Sequence, residues 1–275
     1  MRIPAVPRHD DRNRRKLPAS GRASAYARPV LRILDVRTGE PVAAAPARRG
    51  LTRVEAHASG LDPTALRVLL TADLLVRALE LGGTPVWTIL TAPREQPELR
   101  TAATHLAIRP FEDDRDLASG LGEAQVIHVT GPHAATVRAE GPVAAVAPVA
   151  WTGPEPPLPV LLADPAALRL ALLSVPRRET ARLDATALDR AAGQLAHWRR
   201  AVAGWARRPS RPVPEEIRTR LRAAWDDDLD LPGSLAVLRD VEHAPDLPDG
   251  ARFETYAHAD RLLALDLLRD LGNPA

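Results

Sequence analysis

The sequence predicts an α/β chain in three parts: a disordered basic arm over residues 1–29, a parallel sheet with its helices over 30–162, and a helical bundle over 163–275. Three observations carry this expectation. Residues 51–90 read as strand, helix and strand in succession. From Asp164 onward, apolar residues recur at helical spacing. The length, 275 residues, suits one α/β domain and a smaller helical one.

Leu51–His57 is the first strand of the central unit, and Ala58-Ser59-Gly60-Leu61 the turn that follows. Asp62 stands where a helix N-cap belongs, with Pro63 at the first helical position, where a missing N–H costs nothing. Leu66, Leu69, Leu70, Leu74 and Leu75 recur at helical spacing, and Leu66, Leu70 and Leu74 are expected to face the sheet. Gly82 and Gly83 end the helix by accepting left-handed backbone. Thr84–Leu90 is β-branched and aromatic, and short enough for a buried parallel strand. A βαβ unit of this kind builds a Rossmann-like sheet. Ligands of such sheets gather at the carboxyl end of the first strand, under the helix N-terminus.

The remaining elements follow from similar signals. Val30–Val36 reads as an edge strand and Arg37–Pro41 as a turn. Ala102–Pro110 runs from helix to loop, with Pro110 as the helix stop. Ala124–Thr130 is a buried strand leading to Gly131-Pro132-His133. Residues 141–164 carry prolines at 142, 148, 154, 156, 157 and 159, and read as a proline-stiffened connection. Asp164 and Pro165 open a helix, and a longer one follows with Leu188, Leu195, Trp198, Val202 and Trp205 on one face. Pro214 starts a helix carrying Leu221 and Trp225. The acidic run Asp226–Asp228 reads as a helix boundary in preference to a metal site. A last amphipathic helix is expected over Phe253–Leu271, with Tyr256, Leu263, Leu267 and Leu271 along one face.

Composition removes several classes of function. With no cysteine, disulfides and thiolate metal sites are excluded, and the cytoplasm is the default compartment. No apolar run is long enough to span a membrane, and no secretory signal is evident. The 37 basic residues include a single lysine, Lys16. Residues 1–30 hold eight basic side chains against Asp10 and Asp11, or +6, so the rest of the chain carries −4 within the total of +2. Any nucleic-acid contact would therefore run through the arm alone, and a solvated tail is the reading favoured for it.

The βαβ unit resembles the opening of the class I cysteinyl-tRNA synthetase catalytic domain and of the related mycothiol-pathway cysteine ligase. The resemblance lies first in Asp73-Leu-Leu-Val-Arg-Ala-Leu-Glu-Leu-Gly-Gly83. It continues in Leu106-Ala-Ile-Arg-Pro110, in Asp164-Pro-Ala-Ala-Leu-Arg-Leu-Ala-Leu-Leu-Ser174 and in Asp226-Asp-Asp-Leu-Asp-Leu-Pro232. It implies a class I synthetase sheet followed by a helical bundle, here without a downstream anticodon-recognition domain.

The family's reactive signatures are absent from the matching positions. Arg53 stands where the family has a zinc-binding Cys, and Asp62-Pro-Thr-Ala65 where it has HIGH. Of the family's second group of zinc ligands only His133 has a counterpart, and no lysine stands where the KMSKS loop belongs. His57 and His128, both in strands, read as scaffold residues. The ancestral crevice would be lined by Ser59, Gly60, Asp62, Thr64, Arg67 and His133, with no catalytic residue assigned. The resemblance implies ATP as the ligand of any active form, and the missing ligands imply no zinc. The favoured reading is a non-catalytic binding or regulatory paralogue acting on a small molecule or protein. The alternative is an ATP-dependent, adenylate-forming ligase in which Arg67 and backbone N–H groups hold phosphate.

Overall fold

A computed structural model describes residues 30–47, 50–92, 96–113, 123–132, 140–154 and 156–272. The basic arm and His133 lie outside these residues. The chain is α/β, with a Rossmann-like parallel sheet and a helical C-terminal part. The sheet contains β3 (Leu51–His57), β4 (Val86–Thr91), β5 (Glu112–Asp113), β6 (Glu123–Thr130) and β7 (Val143–Ala145). Its order is β5-β4-β3-β6-β7, all parallel, with Thr52 opposite Val86 and Glu55 opposite His128. Strand order reverses between β3 and β6: the chain leaves β3 towards β4 and β5, then returns to β6 and β7.

Helix α1 (Pro63–Leu81) makes the β3–β4 crossover. The Asp62 carboxylate caps it by accepting the Ala65 N–H at 2.8 Å. Leu66, Leu70 and Leu74 are buried as expected, but so are Arg67, Val68, Leu69, Thr71 and Leu75. A helix buried all round lies between two layers; here α1 packs on β3, β4 and β6 and also against α8. At its end only Gly83 is left-handed (φ +81°), whereas Gly82 stays in the right-handed helical region.

The structure changes four expectations. The strand expected at Val30–Val36 is shorter: β1 (Arg32–Asp35) pairs with β2 (Glu40–Ala43) as a separate antiparallel ribbon. The proline-rich stretch is more than a connection. It supplies β7 to the sheet, β8 (Val149–Trp151) and the short α3 (Leu158–Leu161), because Pro142 and Pro148 stand just outside strands and break no ladder. Helix α2 (Gln96–His105) stops well before Pro110, with Ala107 left-handed. The last helix ends at Leu263, since Ala264 turns left-handed and Asp260 accepts the N–H groups of Leu265 and Leu267. Leu265 and Leu267 are thereby buried from a loop.

The helical part comprises α4 (Pro165–Leu173), α5 (Ala185–Trp205), α6 (Glu215–Asp226), α7 (Leu231–His243) and α8 (Asp249–Leu263). Asp164, Asp184 and Asp230 cap α4, α5 and α7. Strand β9 (Ala181–Leu183) pairs in parallel with β8, tying this part to the sheet region. Asp228 accepts the Leu34 N–H at 2.8 Å and pairs with Arg177, so the acidic run links α6 to β1. The Asp73 carboxylate, 1% exposed, draws in Arg77 Nε at 2.7 Å, Arg109 Nε at 3.0 Å and Arg169 Nη2 at 3.6 Å. Arg169 also donates to the Leu106 and Leu263 carbonyls. One buried carboxylate thus joins α1, the loop after α2, and α4. No described helix is long and apolar enough to cross a membrane.

Candidate functional site

Strand β3 alternates in burial, with Thr52, Val54 and Ala56 fully buried and Arg53, Glu55 and His57 partly open. A parallel strand covered on both faces reads as a continuous apolar run. Charged residues at every second position therefore mark the face opposite the α1 core as different. On β6 the matching position is His128, directly opposite Glu55.

These side chains meet. His57 Nε2 and His128 Nδ1 are 2.9 Å apart. Glu55 Oε1 lies 3.6 Å from His57 Nε2, and Glu55 Oε2 lies 3.6 Å from His128 Nδ1. Thr91, at the end of β4, donates its hydroxyl to Glu55 Oε1 at 2.9 Å. Arg53 Nε is 3.7 Å from Glu55 Oε2.

The hydrogen bonds assign the tautomers. A backbone carbonyl only accepts, so His128 Nε2 carries the proton that meets Glu140 O at 3.0 Å. In neutral His128 the Nδ1 lone pair is then bare, and His57 donates to it from Nε2. Burial pushes the His128 imidazole below its ordinary pKa. Glu55 and the Glu140 carbonyl pull it back up, while His57 and Arg53 push it further down. The balance is a neutral ring with one lone pair aimed at its neighbours.

The position in the sheet is the one where a ligand is expected. His57, Thr91 and Thr130 stand at the carboxyl ends of three adjacent strands, and His57 and His128 flank the β3–β6 switch point. The chemistry available is that of two imidazoles, a carboxylate and a nearby guanidinium, suited to holding a cation or shuttling a proton.

The described members of the sequence-predicted crevice lie on the β3–α1 turn and the first turns of α1. Ser59 is exposed, and Gly60 adopts φ +96°, a conformation that favours glycine. Asp62 is committed to its capping bond, and the Thr64 hydroxyl accepts the Val149 N–H at 3.0 Å, fastening β8. Arg67 differs most from a crevice residue. It is 2% exposed and sits in a cage of backbone carbonyls. Nη1 donates to Glu179 at 2.7 Å, Ala147 at 2.9 Å and Pro148 at 3.4 Å, and Nη2 to Pro176 at 2.8 Å and Val175 at 3.2 Å. Burial lowers its pKa to about 10, which leaves it charged at neutral pH. Sequence reasoning missed the Glu55–His57–His128 cluster, although the alternation Arg53, Glu55, His57 was its visible signal.

Over 76 residues, 28% of its length, the chain is 45% identical to the L-cysteine:1D-myo-inositol 2-amino-2-deoxy-alpha-D-glucopyranoside ligase of Streptosporangium roseum. The ligase of the same name from Parafrankia sp. is 46% identical over 76 residues, and that of Thermobispora bispora 42%. The match spans under a fifth of these curated relatives, 16–18% of their length. They are mycothiol-pathway cysteine ligases, one of the two families that the sequence phrases resemble. No family model matches the chain.

Proposed function

We propose that this chain is a binding or regulatory relative of the cysteine ligases that uses the switch-point crevice without forming an aminoacyl adenylate. The observation that carries the reading is the Asp62 carboxylate. It occupies the α1 N-terminus, the place where a nucleotide phosphate would seek N–H donors, and accepts the Ala65 N–H at 2.8 Å. A carboxylate there repels phosphate oxygens and uses a donor they would need. Three further features support it. The Arg67 guanidinium is turned into a carbonyl cage, and the only lysine, Lys16, lies in the basic arm. Cysteine selection also loses its thiolate–zinc handle where Arg53 replaces the family's Cys. The partner is a small molecule or protein of the cytoplasm.

The reaction is tested directly by ATP–pyrophosphate exchange on the full chain, with each of the twenty amino acids offered. Silence across the panel, from protein shown to be folded, is the expected result. Exchange with cysteine would overturn the proposal. Exchange with another amino acid would establish the ligase alternative, which the names of the relatives favour.

A further inference from the structure

We propose that Glu55, His57 and His128 form a site for one divalent first-row transition ion, such as Zn2+, at the carboxyl end of β3 and β6. This departs from the expectation of no zinc in the chain, which rested on two positions: Arg53, where the resembled family has its Cys, and the segment around His133. None of the three residues named here stands there. They come together through sheet register, 71 residues apart in the chain for the two histidines.

The spacing suits a metal. Ligand atoms bound to a tetrahedral ion at roughly 2.0–2.1 Å lie about 3.4 Å from one another. Those of this cluster are 2.9 Å apart between the imidazoles and 3.6 Å from each imidazole to its own oxygen of the carboxylate, Oε1 for His57 and Oε2 for His128, all within 4.8 Å of one another. The rings need to part by only about half an ångström for an ion to replace the single proton between them. His57 accommodates this by moving its proton to Nδ1, so the ligand set stays neutral apart from Glu55.

The surroundings hold the ligands in place. His128 donates Nε2–H to the Glu140 carbonyl, the outer contact that fixes a metal-binding ring with its other nitrogen free to ligate. Thr91 does the same for the Glu55 carboxylate. All three ligands project from paired strands, which are stiffer supports than loops. Two imidazoles and a carboxylate favour zinc-like ions over calcium or magnesium, and three protein ligands leave a fourth position for water or a bound molecule. Arg53 shares the Glu55 carboxylate, so affinity should fall below that of an all-thiolate structural site.

The test uses the untagged full chain, titrated with Co2+ followed by visible absorption and then displaced with Zn2+. One ion per chain with the absorption of a low-symmetry four-coordinate site is expected. Glu55→Gln and His57→Gln should each weaken binding by at least about tenfold. His197→Gln, in an exposed histidine paired with Glu242, should leave it unchanged. Circular dichroism establishes that each variant is folded, and Glu55→Gln keeps the shape and the Thr91 contact if a histidine variant does not fold. Absence of a one-to-one complex, or equal binding by wild type and both site variants, would overturn the proposal. No ATP or amino acid enters the measurement, so its outcome is separate from that of the exchange assay.

Discussion

Replacing Arg67 with methionine separates a scaffold role from a phosphate-binding role. Methionine keeps much of the aliphatic stem and removes every donor. Three of the contacts are short: 2.7 Å to Glu179 O, 2.8 Å to Pro176 O and 2.9 Å to Ala147 O. Hydrogen bonds to a charged group contribute about 1.5–3 kcal/mol each. The low end applies, because burial already opposes the cation, as the pKa of about 10 indicates. Three such bonds give about 4.5 kcal/mol. Leaving the acceptors unsatisfied in a buried cage acts in the same direction. For a chain of this size that is a fall in Tm of roughly 10 °C. Urea unfolding followed by tryptophan fluorescence reads the loss, and Arg67→Lys, which keeps the charge on a shorter reach, should fall between. If Arg67→Met were within about 0.5 kcal/mol of wild type, the carbonyl cage would not be what holds residues 145–149 and 175–179 against α1.

Two further outcomes test other parts of the fold. Burial raises the pKa of Asp35, but hydrogen bonds from the Arg37 side chain and from the Arg37 and Val143 N–H groups lower it more, so the net shift is downward. A carboxyl depressed in the folded state contributes stability above its unfolded pKa of about 4 and loses it as pH falls through the folded value. The stability gap between wild type and Asp35→Asn should therefore be widest near neutrality and close on acidification, in melts from pH 7 down to about 3. Gly141 sits at φ +87° with Val126 O 2.1 Å from where a Cβ would lie. Gly141→Ala should lose more than about 2 kcal/mol in denaturant unfolding, whereas Gly153→Ala, equally left-handed but open around the Cβ, should lose less.

What the sequence revealed and what it hid divide along the range of the forces involved. Asp62, Pro63 and Gly83 act within a turn of the backbone they control, so both ends of α1 could be read from a few letters. Asp164 before Pro165 is the same case for α4. Strands β7, β8 and β9 are three residues each and exist through partners far along the chain, so no local pattern announced them. The end of α8 depends on Asp260 reaching forward to two backbone N–H groups, without the glycine that usually marks a stop. Arg67 followed a motif position and read as a ligand for phosphate, but the sequence could not show that the β8 and β9 loops close around it. The histidine pair needed the β3–β6 register before its two members became neighbours.

The Asp73 knot has a consequence for how this molecule can change. It gathers Arg77, Arg109 and Arg169 on the α1 side of the sheet, and three of the four phrases that carry the resemblance supply Asp73, Arg109 and Arg169. The crevice face, with Arg53, Glu55 and His57, takes no part in that knot. Shape and chemistry are therefore written on opposite sides of the same strands. Substitutions on the crevice side leave that knot untouched, so the chemistry of this face can change without the architecture that carries it.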